Sequence, residues 1–395
     1  MRTVGVQVRG IRTAIVKEGD DLIRIVVDAL WRAMEAEGIS LGDRDVIGIT
    51  ESLVARAQGN FVTLGEVTAD LNRKFGADEI GVVFPLLSRN RFSTILKAIA
   101  EGFSRVYLLL SYPGDEVGNP LMDLDRMEEA KVNPSTDLLS EEDYRRIFGV
   151  EVKHPFTGID YVRFYKEMGV NDNMRIYLSN NPREILRFTK KALVANVHAR
   201  IRTKKLLRAA GAEIVYGLDE ICTEPKATGG YNPQYGLLGS NLSADDKLKL
   251  FPRDGQVYVD GIQRVIKERT GKNVEVLIYG DGAFKDPVGH IWELADPVVS
   301  PAFTPGLAGV PNEVKIKYLA DHLMEENGSS AVEEGVKAYI RNNRSDLVEK
   351  EATLGTTPRQ LTDLLGSLCD LTSGSGDKGT PIVLVQGYFD NYTTE

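Results

Sequence analysis

The chain has 395 residues, 42% of them hydrophobic and 27% charged. That is the composition of a folded globular protein with room for two or three domains, and it excludes a disordered, collagen-like or disulfide-stapled chain. Lys and Arg total 48 against 57 Asp and Glu, a formal charge of −9, which argues against general binding to nucleic acid or to an anionic membrane.

The two cysteines, Cys222 and Cys369, are far apart and have no metal-ligand spacing around them. They read as buried packing residues in a reducing compartment. The chain opens without an apolar signal-peptide core, and no run reaches the roughly 18 apolar residues of a membrane helix. A cytoplasmic protein is expected.

Val4 to Val8 alternates like a strand. Gly19-Asp20-Asp21 then opens a helix in which Leu22, Ile25, Val26, Ala29, Leu30, Ala33 and Met34 recur at helical spacing until Gly38. Asp45 to Thr50 is an apolar strand, followed directly by Glu51-Ser52-Leu53-Val54-Ala55-Arg56. Glu79 to Phe84 predicts a strand, Ser88-Arg89-Asn90-Arg91 follows, and a helix runs to about Glu101 before a strand from Val106 to Ser111. Strand, helix, strand implies a parallel unit with a right-handed crossover. The pattern recurs at Arg175 to Leu178, a helix behind Asn181-Pro182, and Glu213 to Tyr216. Pro113 to Pro134 reads as a loop. Further on, Asp260 to Arg269 is helical, Val274 to Tyr279 is a strand, helices fill about 312–350 and 358–371, and Pro381 to Gln386 is a last strand.

Asp281 is the sharpest single residue. It sits between Gly280 and Gly282 just past an apolar strand, where backbone can approach a ligand and a carboxylate can hold a hard cation. Asp286, His290, Glu293 and Asp296 follow. A solvated turn produces the same pattern. Glu51, Ser52 and Arg56 form a second group. A guanidinium beyond a strand end suits phosphate or carboxylate, and a surface arginine on a short helix looks the same. Ser240 and Asn241, behind Gly236 and Gly239, form a base- or phosphate-binding segment or a turn. The glycine-rich loop at 374–379 lacks Gly-Lys-Ser/Thr and precedes a strand, so a flexible connection is the simpler reading. Residues 183–208 hold nine Lys or Arg against one acid, Glu184, with Phe188 as the one aromatic. That is a solvated helix face, or a contact to an anionic substrate or acidic partner.

Several segments together resemble the coenzyme F420-0:gamma-glutamyl ligase family. They are Ile15-Val16-Lys17-Glu18-Gly19-Asp20-Asp21-Leu22, Asp45 to Gly59, Gly239-Ser240-Asn241, Leu250-Phe251-Pro252-Arg253-Asp254, Tyr279-Gly280-Asp281 and the tail Leu371 to Gly387. Their order and approximate spacing carry the resemblance, which covers roughly 1–75, 229–300 and 355–390. It implies an α/β protein with a mixed α+β ligase-like core over 1–75 and 229–395; the block 76–228 has no counterpart in the family, and its strand–helix–strand pattern reads as an inserted Rossmann-like α/β domain of unknown role. It also implies a nucleotide- and metal-dependent enzyme, using GTP or ATP with Mg²⁺ or Mn²⁺, that joins L-glutamate or a similar amino acid to a small-molecule carboxylate acceptor. The implied assembly is a homodimer. A carboxylate is a poor electrophile, so a nucleotide first converts it to an acyl phosphate, which the amino acid's amine displaces. Cations neutralise the phosphoryl group in transfer.

By the same resemblance, Ile15, Glu51, Ser52, Arg56, Ser240 and Asn241 fall at nucleotide-contacting positions. Asp281 falls at a metal position, and Arg56 and Asp281 are the residues expected to act in the reaction. The chain also departs from the family. Arg56 stands where the family has lysine, which keeps the charge and changes its geometry. Leu238 stands at a metal-binding aspartate and cannot ligate. Gly282 replaces a threonine, and Ser375 falls near a metal-contacting amide. Asp286 is the expected substitute metal ligand, with Asp245, Asp246 and Glu293 as other sources. These departures keep open a second class, a nucleotide-binding or regulatory homologue without ligase activity.

Overall fold

The computed structural model describes residues 4–89, 91–115, 118–155, 157–226, 229–244, 246–280, 284–285, 292–293, 298–327, 332–342, 353, 359–373 and 376–394. The fold is mixed α/β, as expected, and two sheets organise it.

The first sheet has the order Gln7–Ile11, Ile382–Gln386, Val46–Thr50, Glu275–Tyr279, Ala302–Phe303. The central pair Val46–Thr50 and Glu275–Tyr279 is parallel, with Glu275 opposite Val46 and Tyr279 opposite Thr50. The other neighbours are antiparallel. Both central strands are continuous apolar runs because both faces of the sheet are covered. On one face, Leu22, Val26 and Leu30 of helix Leu22–Glu37 and Val259, Ile262 and Ile266 of helix Gly255–Thr270 pack on Ile47, Ile49, Val276 and Ile278. On the other, Leu365 and Cys369 of helix Leu361–Ser373 pack on Val46, Leu277 and Tyr279. Helix Leu22–Glu37 starts where the Asp21 carboxylate accepts the Arg24 N–H at 3.1 Å. It stops at Gly38, whose φ of 65° is the left-handed turn that glycine adopts without strain.

The second sheet has the order Leu139–Ser140, Met174–Leu178, Arg105–Leu110, Glu79–Val83, Lys191–Val194, Ile214–Gly217. All its pairings are parallel except that of the edge strand Leu139–Ser140. Helix Leu64–Phe75, which precedes the expected start of the insert at 76, packs beside helix Phe92–Gly102. There the Thr68 hydroxyl donates to the Ala98 carbonyl at 2.8 Å. A three-stranded antiparallel ribbon, Asn241–Ala244, Lys247–Lys249 and Phe61–Thr63, touches helix Phe92–Gly102 through its first strand and the short helix Glu51–Ala57 through its second.

Some local structure differs from the expectation. The stretch 113–134 contains a helix, Leu124–Glu129, started by the Asp123 carboxylate, which accepts the N–H groups of Asp125 (3.0 Å) and Arg126 (3.2 Å). Six residues are too few for a helical period to appear in sequence. The helix after Asn181 is a 3₁₀ segment, Pro182–Arg187. Among the described residues no helix is long and apolar enough to cross a membrane.

Candidate functional site

Parallel strands Val46–Thr50 and Glu275–Tyr279 end side by side, with Thr50 opposite Tyr279. The carboxyl ends of parallel strands are where open α/β sheets present their ligand sites, because the connections diverge there. The helix Glu51–Ala57 leaves directly from Thr50. Gly280 leaves from Tyr279, and its N–H donates to the Val299 carbonyl at 2.8 Å.

At this edge Glu51 is 2% exposed and Lys249 is 5% exposed, and the two form an ion pair. The Lys249 amine also donates to the Ser52 hydroxyl at 2.7 Å, and that hydroxyl donates to Glu51 Oε1 at 3.2 Å. Lys249 lies across the ribbon from Asn241 on one side and from Phe61 on the other. Three sequence-predicted residues, Glu51, Ser52 and Asn241, are thus assembled around a lysine that the sequence reading passed over. Lys247 and Lys249 look alike in Lys247-Leu248-Lys249-Leu250, but Lys247 is exposed and Lys249 is buried. Two residues apart in one strand, both lysines project to the same side, and only the segments packed over Lys249 bury it.

Ser240 is 3% exposed, and its hydroxyl has no hydrogen-bond partner among the described residues. A buried hydroxyl without a partner is costly unless a bound group supplies one. Arg56 is exposed on the last turn of its helix. It is four residues on from Ser52, so the two share a helix face. Ile15 is 83% exposed. Its segment is held against the helix end, where the Gly19 N–H donates to the Ala57 carbonyl at 2.9 Å. Gly59 ends the turn with φ 60°, and a Cβ there would collide with the Glu18 side chain.

The Leu250 to Asp254 segment is fixed by two buried asparagines. The Asn60 amide donates to the Phe251 carbonyl at 2.8 Å, while its oxygen accepts Tyr231 N–H (3.0 Å) and Arg253 (2.6 Å). The Asn232 amide donates to the carbonyls of Phe251 (2.9 Å) and Pro252 (3.1 Å). The Arg253 guanidinium lies 4.7 Å from the centre of the Tyr231 ring. These contacts hold rigid the segment that carries Lys249 into the site.

Leu238 is 2% exposed and belongs to the apolar core of the second sheet, so packing accounts for it. Asp281, Asp286, Gly282, Asp245 and Ser375 lie outside the described residues, as does the side chain of Glu293. Asp246 is exposed, and its carbonyl accepts the Leu64 N–H at 2.9 Å. Among the described residues no three His, Cys, Asp or Glu side chains gather as a metal site. Part of the basic run at 183–208 is spent internally: Arg187 pairs with Glu184 at 2.7 Å, Arg200 with Asp219 at 3.0 Å and Lys204 with Glu220 at 2.8 Å.

A cleft of about 1150 Å³ lies at the opposite edge of the first sheet, lined among others by Arg44, Glu313, Tyr388, Phe389 and Tyr392. None of the expected site residues borders it. The cleft and the group around Lys249 therefore lie at opposite ends of the strands.

No curated protein matches the chain. The family model for F420-0:gamma-glutamyl ligase matches residues 10–387, and the chain therefore belongs to that family.

Proposed function

We propose that the protein is a nucleotide-dependent ligase that forms an amide between a small-molecule carboxylate and L-glutamate or a similar amino acid, through an acyl phosphate. The observation that carries this reading is the buried Lys249 amine, held by Glu51 and Ser52 at the sheet's carboxyl edge and facing Asn241 across the ribbon. A fixed cation in a low-dielectric pocket stabilises charge on a phosphoryl group far better than one in water. Glu51 fixes the amine in place. The Ser240 hydroxyl and the Asn241 amide serve as donors to phosphate oxygens, the Ser52 hydroxyl joins them by turning from Glu51, and Arg56 takes the exposed end of the phosphate chain. Ile15 contributes through its segment, which is packed against the same helix end.

Either GTP or ATP fits these donors, since phosphates offer them the same oxygens. Mg²⁺ or Mn²⁺ is assigned to Asp281 and Asp286, the carboxylates that follow Gly280 in the chain; such an ion supplies charge neutralisation during phosphoryl transfer. The assembly is proposed to be a homodimer, the commonest closed oligomer, and light scattering that returns the monomer mass contradicts it.

The test is release of nucleoside diphosphate from GTP or ATP with Mg²⁺, a panel of carboxylates and L-glutamate, with hydroxylamine added to trap an acyl phosphate as its hydroxamate. Acceptor-dependent hydroxamate, replaced by amide when glutamate is present, is the expected result. One observation favours a second reading, a nucleotide-binding homologue without ligase activity: Leu238 is a core residue where the resemblance places a metal aspartate. Nucleotide binding with no phosphate release for any carboxylate selects it.

A further inference from the structure

The cleft of about 1150 Å³ at the amino end of the central strands is not used by the ligase reading. Its walls come from segments far apart in the chain. Val4 to Val6 and the turn before strand Val46–Thr50 form one part, and the tail after strand Ile382–Gln386 forms another. Helices Ile316–Asn327 and Val332–Asn342 supply a third through Ile316, Ile340 and Arg341. These two helices pack on each other around Leu319 and Val336.

The volume is of the order that holds a small molecule. Val4, Val6, Ile316 and Tyr392 are exposed large hydrophobic side chains, and all four line the cleft. Single exposed hydrophobics scattered over a surface need no explanation, but several gathered in one concavity mark a binding surface.

The cations of the lining are Arg44 and Arg341. The Arg44 guanidinium lies over the Phe389 ring, 3.7 Å from its centre, and Phe389 meets Tyr388 edge to face at 5.4 Å. A guanidinium laid on a ring is held in orientation and keeps its N–H edge for an acceptor. Among the described residues neither arginine side chain forms an ion pair or a hydrogen bond. The acids of the lining are Glu313 and Asp390. Asp390 has a partner within the chain. Glu313 acts on Tyr388: burial, and then the Glu313 charge, raise the Tyr388 pKa and keep its hydroxyl a neutral donor. The backbone under Arg44 is anchored, since its N–H donates to the Asn273 carbonyl at 2.7 Å. Its φ of 63° is a left-handed conformation, which asparagine adopts more readily than arginine does.

We propose that this cleft is a second small-molecule site, for an organic acid with an aromatic or branched apolar body: the carboxylate on Arg44, with Arg341 as the second cation, and the body against Val6, Ile316 and Tyr392. The length of the strands separates it from Lys249, and the inference does not rest on the ligase reading.

The experiment is fluorescence titration of the full chain with anilinonaphthalene sulfonate, an aromatic anion, followed by displacement with phenylbutyrate and with the uncharged phenylbutanol. It is run on the wild type, Arg44→Asn, Val6→Asp and Arg183→Gln, each first checked by thermal unfolding. Arg44→Asn removes the cation at a φ that asparagine tolerates, so the fold should survive it. Val6→Asp places a negative charge on an exposed wall position and keeps the test alive if the first variant does not fold. Arg183 is an exposed arginine outside the cleft and serves as the control. The expected result is saturable binding that the acid displaces about tenfold better than the alcohol, weakened about tenfold or more in Arg44→Asn and in Val6→Asp and unchanged in Arg183→Gln. Equal displacement by acid and alcohol makes the cleft a plain apolar surface and overturns the proposal. Wild-type affinity for the acid in a folded cleft variant overturns it as well, as does the absence of saturable binding at millimolar concentration.

Discussion

The Lys249 amine and the Glu51 carboxylate form an ion pair buried at 5% and 2% exposure, joining the ribbon strand Lys247–Lys249 to the helix that leaves strand Val46–Thr50. The two residues are 198 positions apart in sequence. Taking two charges out of water is repaid only while both partners remain, so removing one leaves an uncompensated buried charge. Lys249→Met is expected to destabilise the protein by about 3 kcal/mol or more, and Glu51→Gln/Lys249→Met by less than the sum of the single changes. Urea unfolding of the four forms of this cycle checks it; strict additivity denies the coupling.

Asn241 lies opposite Lys249 and has an adjacent buried hydroxyl in Ser240. Asn241→Ala is expected to weaken nucleotide binding by about 10- to 100-fold, the loss of a hydrogen bond to a charged group at roughly 1.5–3 kcal/mol. Arg56→Ala should also weaken it while leaving stability within about 0.5 kcal/mol, because Arg56 is exposed. Fluorescence titration with a labelled GTP or ATP, beside thermal unfolding, reads both. Wild-type affinity in both variants removes these residues from the site.

Asp160 is 7% exposed, and its carboxylate takes a two-pronged contact from Arg145 at 2.6 and 3.0 Å and the N–H groups of Arg163 (2.9 Å) and Val152 (3.0 Å). Burial alone raises its pKa; the arginine and the two N–H donors outweigh burial and hold it below the ordinary value. Asp70 is held low in the same way, by the Cys222 N–H, Arg73 and Lys74 against burial. A carboxyl whose folded pKa is depressed binds fewer protons folded than unfolded. Its stabilisation is therefore complete above the ordinary carboxyl value of about 3.9 and fades as pH falls through the lower folded value. Stability should accordingly drop with acid below about pH 4. Asp160→Asn should lose about 2 kcal/mol at neutral pH and show a shallower acid limb. Urea unfolding across the acid range reads the slope; an unchanged slope in the variant assigns it elsewhere.

Cys222 is 1% exposed, and burial pushes its thiol up to about 12; Cys369 is fully buried and its thiol is likewise raised. The thiolate is the reactive form, so both should resist a thiol reagent in the native chain at neutral pH and both should react once it is unfolded. Rapid labelling of either residue in the native state contradicts this.

Gly48 sits in the middle of strand Val46–Thr50, where a Cβ would lie 2.5 Å from Cys369 Sγ and 3.2 Å from the Tyr279 ring. Gly48→Ala is expected to cost about 1–3 kcal/mol through overpacking. Gly48→Ala/Cys369→Ala should recover part of that loss, because the second change removes the clashing sulfur. Chemical denaturation of these two variants and of Cys369→Ala tests the pairing; no recovery means the helix Leu361–Ser373 is not what the glycine accommodates.

The strong elements were legible because their cause is local. Leu22, Val26 and Leu30 repeat at helical spacing behind Asp21, and the apolar runs ending at Thr50 and Tyr279 have the length of buried strands, so periodicity and capping predict helix and strand there. Glu51, Ser52 and Asn241 could be picked out because they lie in motif-like segments beside a strand end or a glycine turn. Lys249 could not, since its burial comes from a partner 198 residues away, and nothing in Lys247-Leu248-Lys249 separates the exposed lysine from the buried one. Strand order was equally out of reach. A succession of strands and helices implies parallel pairing, but which strands become neighbours depends on which helix goes to which face. Only the packing of Phe92 and Leu207 on opposite sides of the second sheet placed Val83 beside Val194. Local sequence determined what each segment became and which polar residues stood at segment ends. Long-range burial decided which of those residues met, because desolvation and pairing act between atoms close in space, whatever their distance along the chain.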